Sequence, residues 1–160
     1  MKLTTLCYIN DHDRYLMLFR NKKPDDPNEG KWIGIGGRVE EGEAPWECMK
    51  REVWEETGLT VTEASFLGVI TFISDCWEDE MMFLYRADGF TGSLKGDCPE
   101  GTLSWIDKDR IMSLPLWEGD KLFLPELIDK KKSIHMKLVY EGETLKEAYR
   151  FDEKGEVAIL

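Results

Sequence analysis

The sequence lacks the features that mark membrane proteins, secreted disulfide proteins and nucleic-acid binders. It contains no apolar run near the roughly 18 to 20 residues of a membrane helix, and no signal-peptide core follows Met1. Its four cysteines (Cys7, Cys48, Cys76, Cys98) include no C-x-x-C pair, which disfavours zinc and disulfide sites. Basic residues are few, 21 against 32 acidic ones, so the net charge of −11 argues against duplex nucleic acid or an anionic membrane as partner. We therefore expect a cytoplasmic protein with reduced, buried thiols.

Length and hydrophobic pattern predict a single domain over residues 1–160. With 42% hydrophobic residues, the chain is long enough to bury a substantial core. Residues with strand character occupy 3–10, 14–20, 64–73, 81–86 and 102–106, and 134–140 with 146–151 form a last hairpin. One helix is expected from Pro45 to the residue before Gly58, and another over 119–132, interrupted or restarted at Pro125. This pattern predicts an α/β or α+β sandwich with a mixed sheet between helices.

Acidic side chains are concentrated in residues 40–56. This segment holds seven acids and two bases, a balance of 2 − 7 = −5, against −11 for the whole chain. Glu52, Glu55 and Glu56 stand at i, i+3 and i+4, so a helix would place them on one side. Carboxylates this close repel each other unless cations lie between them, and Mg²⁺ prefers oxygen ligands together with substrate phosphate. We infer a Mg²⁺–phosphate site, because a merely solvated acidic face would not explain the flanking glycines or the spacing.

The spacing in this segment resembles the Nudix box. The pattern G-x5-E-x7-R-E-x-x-E-E-x-G, followed by an apolar residue, runs from Gly37 to Leu59 with every fixed position filled. The resemblance implies a Nudix-type α/β/α sandwich with the Nudix helix and a C-terminal helix. It also implies hydrolysis of a phosphoanhydride bond in a nucleoside diphosphate linked to another group.

Segments outside the box resemble the MutT branch of that family, in particular its oxidised purine nucleoside triphosphatases (8-oxo-dGTP diphosphatases), which sanitise the nucleotide pool. The segments are 30–32, 116–120, 123–125, 130–132 and 136–151.

The resemblance assigns roles to several residues of the box and to two residues outside it. Mg²⁺ or Mn²⁺ would be held by the Gly36 carbonyl and by carboxylates, namely those of Glu52, Glu55, Glu56 and, outside the box, Glu100. Glu52 would also be the general base, directly or by positioning the attacking water. Arg51 would orient Glu52, and Glu43 would pair with Arg51 or with the helix N-terminal region. Gly58 would cap the helix.

Substrate-binding residues lie outside the box, where the chain departs from these relatives. By the resemblance, Trp117 would stack on a purine and Asp120 would hydrogen-bond it. Trp117 as a core residue and Asp120 as a helix cap remain alternatives. Ile33 stands where the relatives have a base-reading asparagine, and Gly119 where they have a second aspartate, so selectivity for 8-oxo-purines is open.

Two interpretations are possible for the charged residues and the polar loop around the box. Arg20, Lys23 and Arg38 flank it as phosphate contacts or as plain surface charges. Residues 74–80, a polar loop with Trp77, either line the cleft or form a solvated turn.

The leading hypothesis is a Mg²⁺-dependent pyrophosphohydrolase that converts a nucleoside triphosphate, with an oxidised purine as one option, to the monophosphate and pyrophosphate. An alternative hydrolase would act on ADP-ribose, dinucleoside polyphosphates or coenzyme A. The region that carries a proline in ADP-ribose enzymes, 72–77, has none here. A nucleotide-binding module without turnover is the third hypothesis, although such relatives usually lose a glutamate of the box. The expected partner is a small nucleotide, and the protein would be a monomer or homodimer.

Overall fold

Ten strands join one mixed sheet in the computed structural model, which describes residues 1–96, 98–129 and 133–160. The strands are β1 (Lys2–Asp11), β2 (Arg14–Arg20), β3 (Trp32–Ile33), β4 (Ile35–Arg38), β5 (Thr60–Ser74), β6 (Glu80–Thr91), β7 (Gly101–Asp107), β8 (Ile134–Glu141), β9 (Thr144–Asp152) and β10 (Gly155–Ala158). Their order is β10-β9-β8-β5-β6-β1-β2-β3, with β4 also paired to β1 and β7 to β2. The pairs β1–β6 and β5–β8 are parallel, and the others are antiparallel.

Helices cover both faces of the sheet. On one face α1 (Pro45–Thr57) packs Met49 and Val53 against alternate residues of β1 and β2. On the other face α2 (Asp120–Phe123) and a 3-10 turn (Leu124–Ile128) pack against Tyr8, Met82 and their neighbours. Alternation along a strand sends successive side chains to opposite faces, so β1 contributes to both cores.

The mixed α+β fold is confirmed, with differences in its smaller elements. The second helix is a single α-turn continued by a 3-10 turn, since Pro125 lacks an amide hydrogen to donate. Lys130 to Lys132, which the sequence placed in that helix, lie outside the described residues. A 3-10 turn over Lys108–Ser113 and the strand β10 were not expected.

The described residues contain no disulfide. Cys7, Cys48 and Cys98 are buried thiols, as expected, but Cys76 lies exposed between β5 and β6, so its predicted burial was wrong. Among the helices of the described ranges, none has the length and apolar character needed to cross a membrane.

Candidate active site

Two glycines of β4 allow α1 to approach the sheet closely. A Cβ on Gly36 would lie 1.8 Å from the Thr5 carbonyl oxygen, and a Cβ on Gly37 would lie 2.4 Å from the Glu52 carboxyl carbon. Only glycine fits both positions, so the Glu52 side chain can rest directly on the β4 backbone. The helix begins at Pro45 and ends at Thr57. The next residue, Gly58, has a φ of 81° and donates its backbone N–H to the Trp54 carbonyl oxygen, which confirms the expected cap.

Arg51 connects two acids of α1, Glu52 and Glu55, with Glu43, which precedes the helix. Its guanidinium donates to Glu43 at 2.7 and 2.9 Å, to Glu52 at 2.8 Å, and to Glu55 at 3.2 Å. It also donates to the Arg38 carbonyl oxygen at 3.1 Å. The hydrogen bond from Arg51 lowers the pKa of Glu43 to about 2. Arg51 therefore fixes the orientation of Glu52 relative to β4, and its bonds to Glu43 match the expected pairing.

The three helical glutamates differ in environment although they share one helix. The Glu55 side chain is exposed, Glu52 is largely covered, and Glu56 is only 6% exposed. Burial raises the pKa of Glu52, and the hydrogen bonds and charge of Arg51 only partly oppose that rise. Burial, followed by the adjacent Glu100 carboxyl, raises the pKa of Glu56 to about 10. Within the described residues, Oε2 of Glu56 has no hydrogen-bond partner.

A cavity of about 410 Å³ opens beside these acids. One group of lining residues is acidic or lies on β4 and includes Glu52, Glu100, Gly36 and Gly37, with Glu52 against Gly37. A second group is apolar or aromatic, namely Ile33, Phe72, Met82, Trp117 and Tyr140, and the Tyr140 ring contacts those of Phe72 and Trp117. The cavity thus joins a polar acidic region to a region suited to a flat apolar ring.

Trp117 is a wall of the cavity and also part of the core. Its ring meets the Tyr140 and Trp77 rings edge-on at centroid distances of 5.2 and 5.7 Å. Its indole N–H donates to Asn28 at 2.8 Å, and the Lys31 ammonium lies 4.4 Å from its centroid. These contacts fix the plane of the indole, so the stacking and core readings of Trp117 are compatible.

Asp120 is buried, whereas Gly119 has no room for a side chain. Asp120 is 4% exposed and lines the cavity, and no hydrogen bond is among the causes that raise its pKa. A Cβ on Gly119 would lie 2.5 Å from Cδ1 of Leu138 and 2.6 Å from the Tyr140 hydroxyl. An aspartate at position 119 would therefore require the β8 side chains to move.

The three flanking cations occupy different environments. Arg20 is buried and donates to Asp26 at 2.7 Å and to Glu100 at 2.9 Å, so it holds Glu100 in place. Lys23 is exposed and lines the cavity. Arg38 also lines the cavity, and its exposed side chain donates to Glu78 at 2.8 Å.

Comparison with known proteins identifies the family. The NUDIX domain model matches residues 2–127, most of the chain. The chain belongs to the Nudix family.

Relatives along the whole length support this assignment. The chain is 31% identical over 156 residues to the Nudix hydrolase YvcI of Bacillus subtilis (strain 168), covering 95% of each protein. It is 31% identical over 154 residues to the oxidized purine nucleoside triphosphate hydrolase of Danio rerio, again covering 95% of each. The solved mutator MutT protein from Bacillus halodurans superposes with a TM-score of 0.82 at 31% identity, covering 94% of this chain and 97% of that one. The protein is accordingly a Nudix hydrolase of the MutT type.

The acids of the Nudix helix suit the divalent cation that Nudix hydrolases generally require. Glu56 offers a buried oxygen without a partner, beside a second carboxyl from Glu100. An all-oxygen donor set is the preference of hard divalent cations. Within the described residues, no three acidic, cysteine or histidine side chains already surround one point. Instead Arg51 engages Glu52 and Glu55, and Arg20 engages Glu100, so cation binding would require these carboxylates to turn.

Several cavity residues were not predicted from the sequence. Asp26, Asn28 and Tyr140 had no sequence signal, because none belongs to a recognisable motif. Glu80 and Trp77 belong to the 74–80 segment, and both line the cavity. The cleft reading of that segment is therefore correct, although Glu80 is the first residue of β6 rather than a loop residue.

Asp120 should make stability fall with rising pH. Burial, and secondarily the charge of Glu80, raises the pKa of Asp120 from 3.8 to about 8. Between these values the folded protein holds a proton that the unfolded chain has lost, so each pH unit should cost about 1.4 kcal/mol of unfolding free energy. Asp120→Asn does not titrate there. The difference in unfolding free energy between wild type and this variant, measured by denaturant titration from pH 5 to 8, should therefore shift in favour of the variant. A constant difference would place the folded pKa of Asp120 near its ordinary value.

Proposed function

We propose that this Nudix hydrolase is a Mg²⁺-dependent pyrophosphohydrolase of purine nucleoside triphosphates, releasing the monophosphate and pyrophosphate. The observation that carries the proposal is that Glu52 and Glu100 line the same cavity as a group of aromatic and apolar side chains. The two acids suit a cation with phosphates, and the aromatic and apolar side chains suit a nucleobase. The similarity to the oxidized purine nucleoside triphosphate hydrolase of Danio rerio supports a purine triphosphate, with an oxidised purine as one candidate.

Glu52 is proposed as the general base. Its carboxyl lines the cavity, lies against Gly37, and is held by Arg51 at 2.8 Å. Its raised pKa makes it a better proton acceptor than an ordinary surface carboxylate. Glu52 would take the proton of the attacking water, and Arg51 would act as the positioning residue.

A divalent cation would be held by oxygen atoms of the Nudix helix and its neighbours, namely Glu52, Glu55, Glu56, Glu100 and the Gly36 carbonyl. When bound, the cation supplies charge neutralisation and polarises the phosphoryl oxygen. It would also favour the ionised form of Glu56, whose pKa is raised first by burial and then by the neighbouring acids.

Substrate contacts are proposed along the lining of the cavity. Lys23 and Arg38 would contact phosphate oxygens, since both line the cavity and neither is deeply buried. Arg20 would act mainly through Glu100, to which it is bonded. Trp117 would stack on the base beside Ile33, and Asp120 would bond the base edge. Residues 1–160 are proposed to act as one domain, because strands from both termini join the same sheet.

A product assay over several substrate classes tests the proposal. Purified protein with Mg²⁺ should release pyrophosphate from at least one purine triphosphate. ADP-ribose, dinucleoside polyphosphates and coenzyme A should yield little of their two phosphomonoester products. Faster cleavage of one of those linked substrates would replace the triphosphate assignment, and no pyrophosphate from any triphosphate would reject it.

A further inference from the structure

Three residues at the start of β1 and β6 form a polar cluster in the lining of the cavity. Lys2 pairs in register with Glu80, and Thr4 is the next residue of β1 on the same face. The Thr4 hydroxyl donates to Oε2 of Glu80 at 2.5 Å, and the Lys2 ammonium lies 3.7 Å from Oε1. All three line the cavity together with Asp120. Glu80 is therefore fixed from the β1 side, with each oxygen engaged by a different residue.

The Glu80 carboxylate retains hydrogen-bonding capacity. A carboxylate offers about four acceptor positions, of which the Thr4 hydroxyl uses one, while Lys2 contributes an ion pair. Its side chain is 25% exposed and belongs to the lining of the cavity. An acceptor held by two partners loses little freedom when it binds a ligand, which is the condition for selective recognition.

Asp120 supplies an independent indication of a ligand. Asp120 is 4% exposed and lines the same cavity, and its pKa is raised by burial and the charge of Glu80, with no hydrogen bond among the causes. A buried polar group without a partner is costly, so a ligand that bonds it gains the missing interaction. Because its pKa is raised to about 8, the carboxyl is mostly protonated at neutral pH and can both donate and accept.

We infer that Glu80, held by Thr4 and Lys2, binds the edge of the base together with Asp120. This pair selects a base on which a ring N–H and an exocyclic amino group are adjacent, as in guanine. The selectivity rests on the function proposed above. The two adjacent N–H groups donate to the Glu80 carboxylate. The protonated Asp120 bonds the carbonyl that stands next to them on the guanine edge. Hypoxanthine lacks the amino group and adenine lacks the ring N–H, so each forfeits a bond to a charged acceptor.

Binding of GMP and IMP tests this selectivity without requiring turnover. The two ligands differ only in the amino group, and calorimetry on the intact protein measures both affinities. Wild type should bind GMP about 10-fold or more tightly than IMP, the ratio that one charge-assisted hydrogen bond provides. Glu80→Gln, which keeps the shape and an acceptor for Thr4, should reduce that ratio to about 3-fold or less. Thr4→Val should reduce it in part, because Glu80 loses one of its two supports.

Glu78→Gln is the matched control, since it removes one negative charge from the same cavity lining two residues away. It should keep the wild-type ratio of GMP to IMP affinity. An unchanged ratio in Glu80→Gln, equal affinities in wild type, or no measurable binding of either nucleotide would each overturn the inference. Hydrolysis of GTP and ITP, measured separately, reports on the proposed function. Turnover without guanine preference rejects only the inference, and guanine preference without turnover rejects only the proposed function.

Discussion

Replacing Glu52 with glutamine should lower the turnover number by roughly 10³-fold or more, because the variant loses both the proton acceptor and a cation ligand. Glutamine matches glutamate in shape, and its carbonyl oxygen can still accept the 2.8 Å bond from Arg51. The fold should therefore persist, with a thermal midpoint close to that of wild type. Steady-state kinetics with a saturating purine triphosphate and Mg²⁺ measure the effect.

Glu41→Gln is the control for this substitution. Glu41 belongs to the same acidic segment but is exposed on the turn before α1. Its loss should leave the turnover number within about 3-fold of wild type, as is usual for exposed charges. A Glu52→Gln enzyme with near-normal turnover would remove Glu52 from the role of base, whatever its part in cation binding.

Replacing Glu56 with glutamine should abolish most of the stabilisation by divalent cations while raising the stability of the cation-free protein. Cation binding at about 100 times its dissociation constant adds about 2.7 kcal/mol to the wild type. The variant lacks the buried carboxylate oxygen that we assign to the cation, so this gain should largely vanish. Without cation, Glu56 takes up a proton on folding at neutral pH because its pKa is raised to about 10, whereas the glutamine amide can donate to Glu100 without that cost.

Thermal melts with and without Mg²⁺ or Mn²⁺ measure both effects in one experiment. Glu47→Gln on the same helix is the matched control, because its side-chain oxygen can still accept the 3.0 Å bond from the Ala44 amide. That variant should behave as wild type in both conditions. A Glu56→Gln protein that gains as much from the cation as wild type would show that Glu56 is not a ligand.

Local features of the site were predictable because they depend on residues close in sequence. The Nudix helix, its glycine cap and the Glu43–Arg51 pair all lie within 22 positions, and the motif fixes their spacing. The position of Glu52 against Gly37 follows from the same segment.

Other parts of the cavity depend on contacts that the sequence does not encode locally. Thr4 and Glu80 are 76 positions apart, and Arg20 and Glu100 are 80 apart. Their meeting requires the parallel register of β1 with β6 and the pairing of β2 with β7. Hydrophobic alternation predicts that these strands exist, but the register is set by packing of the whole sheet. For the same reason, the sequence alone indicated only that Gly119 replaces an aspartate. The structure shows that Leu138 and Tyr140 occupy the space that a side chain at position 119 would need.

Phosphorus NMR of the reaction products tests the central claim most directly. A purine triphosphate incubated with the protein and Mg²⁺ should give the resonances of the nucleoside monophosphate and pyrophosphate in equal amounts. The same sample with a chelator in place of Mg²⁺ should give neither. Nucleoside diphosphate with inorganic phosphate, or the same products at the same rate without a divalent cation, would contradict the account.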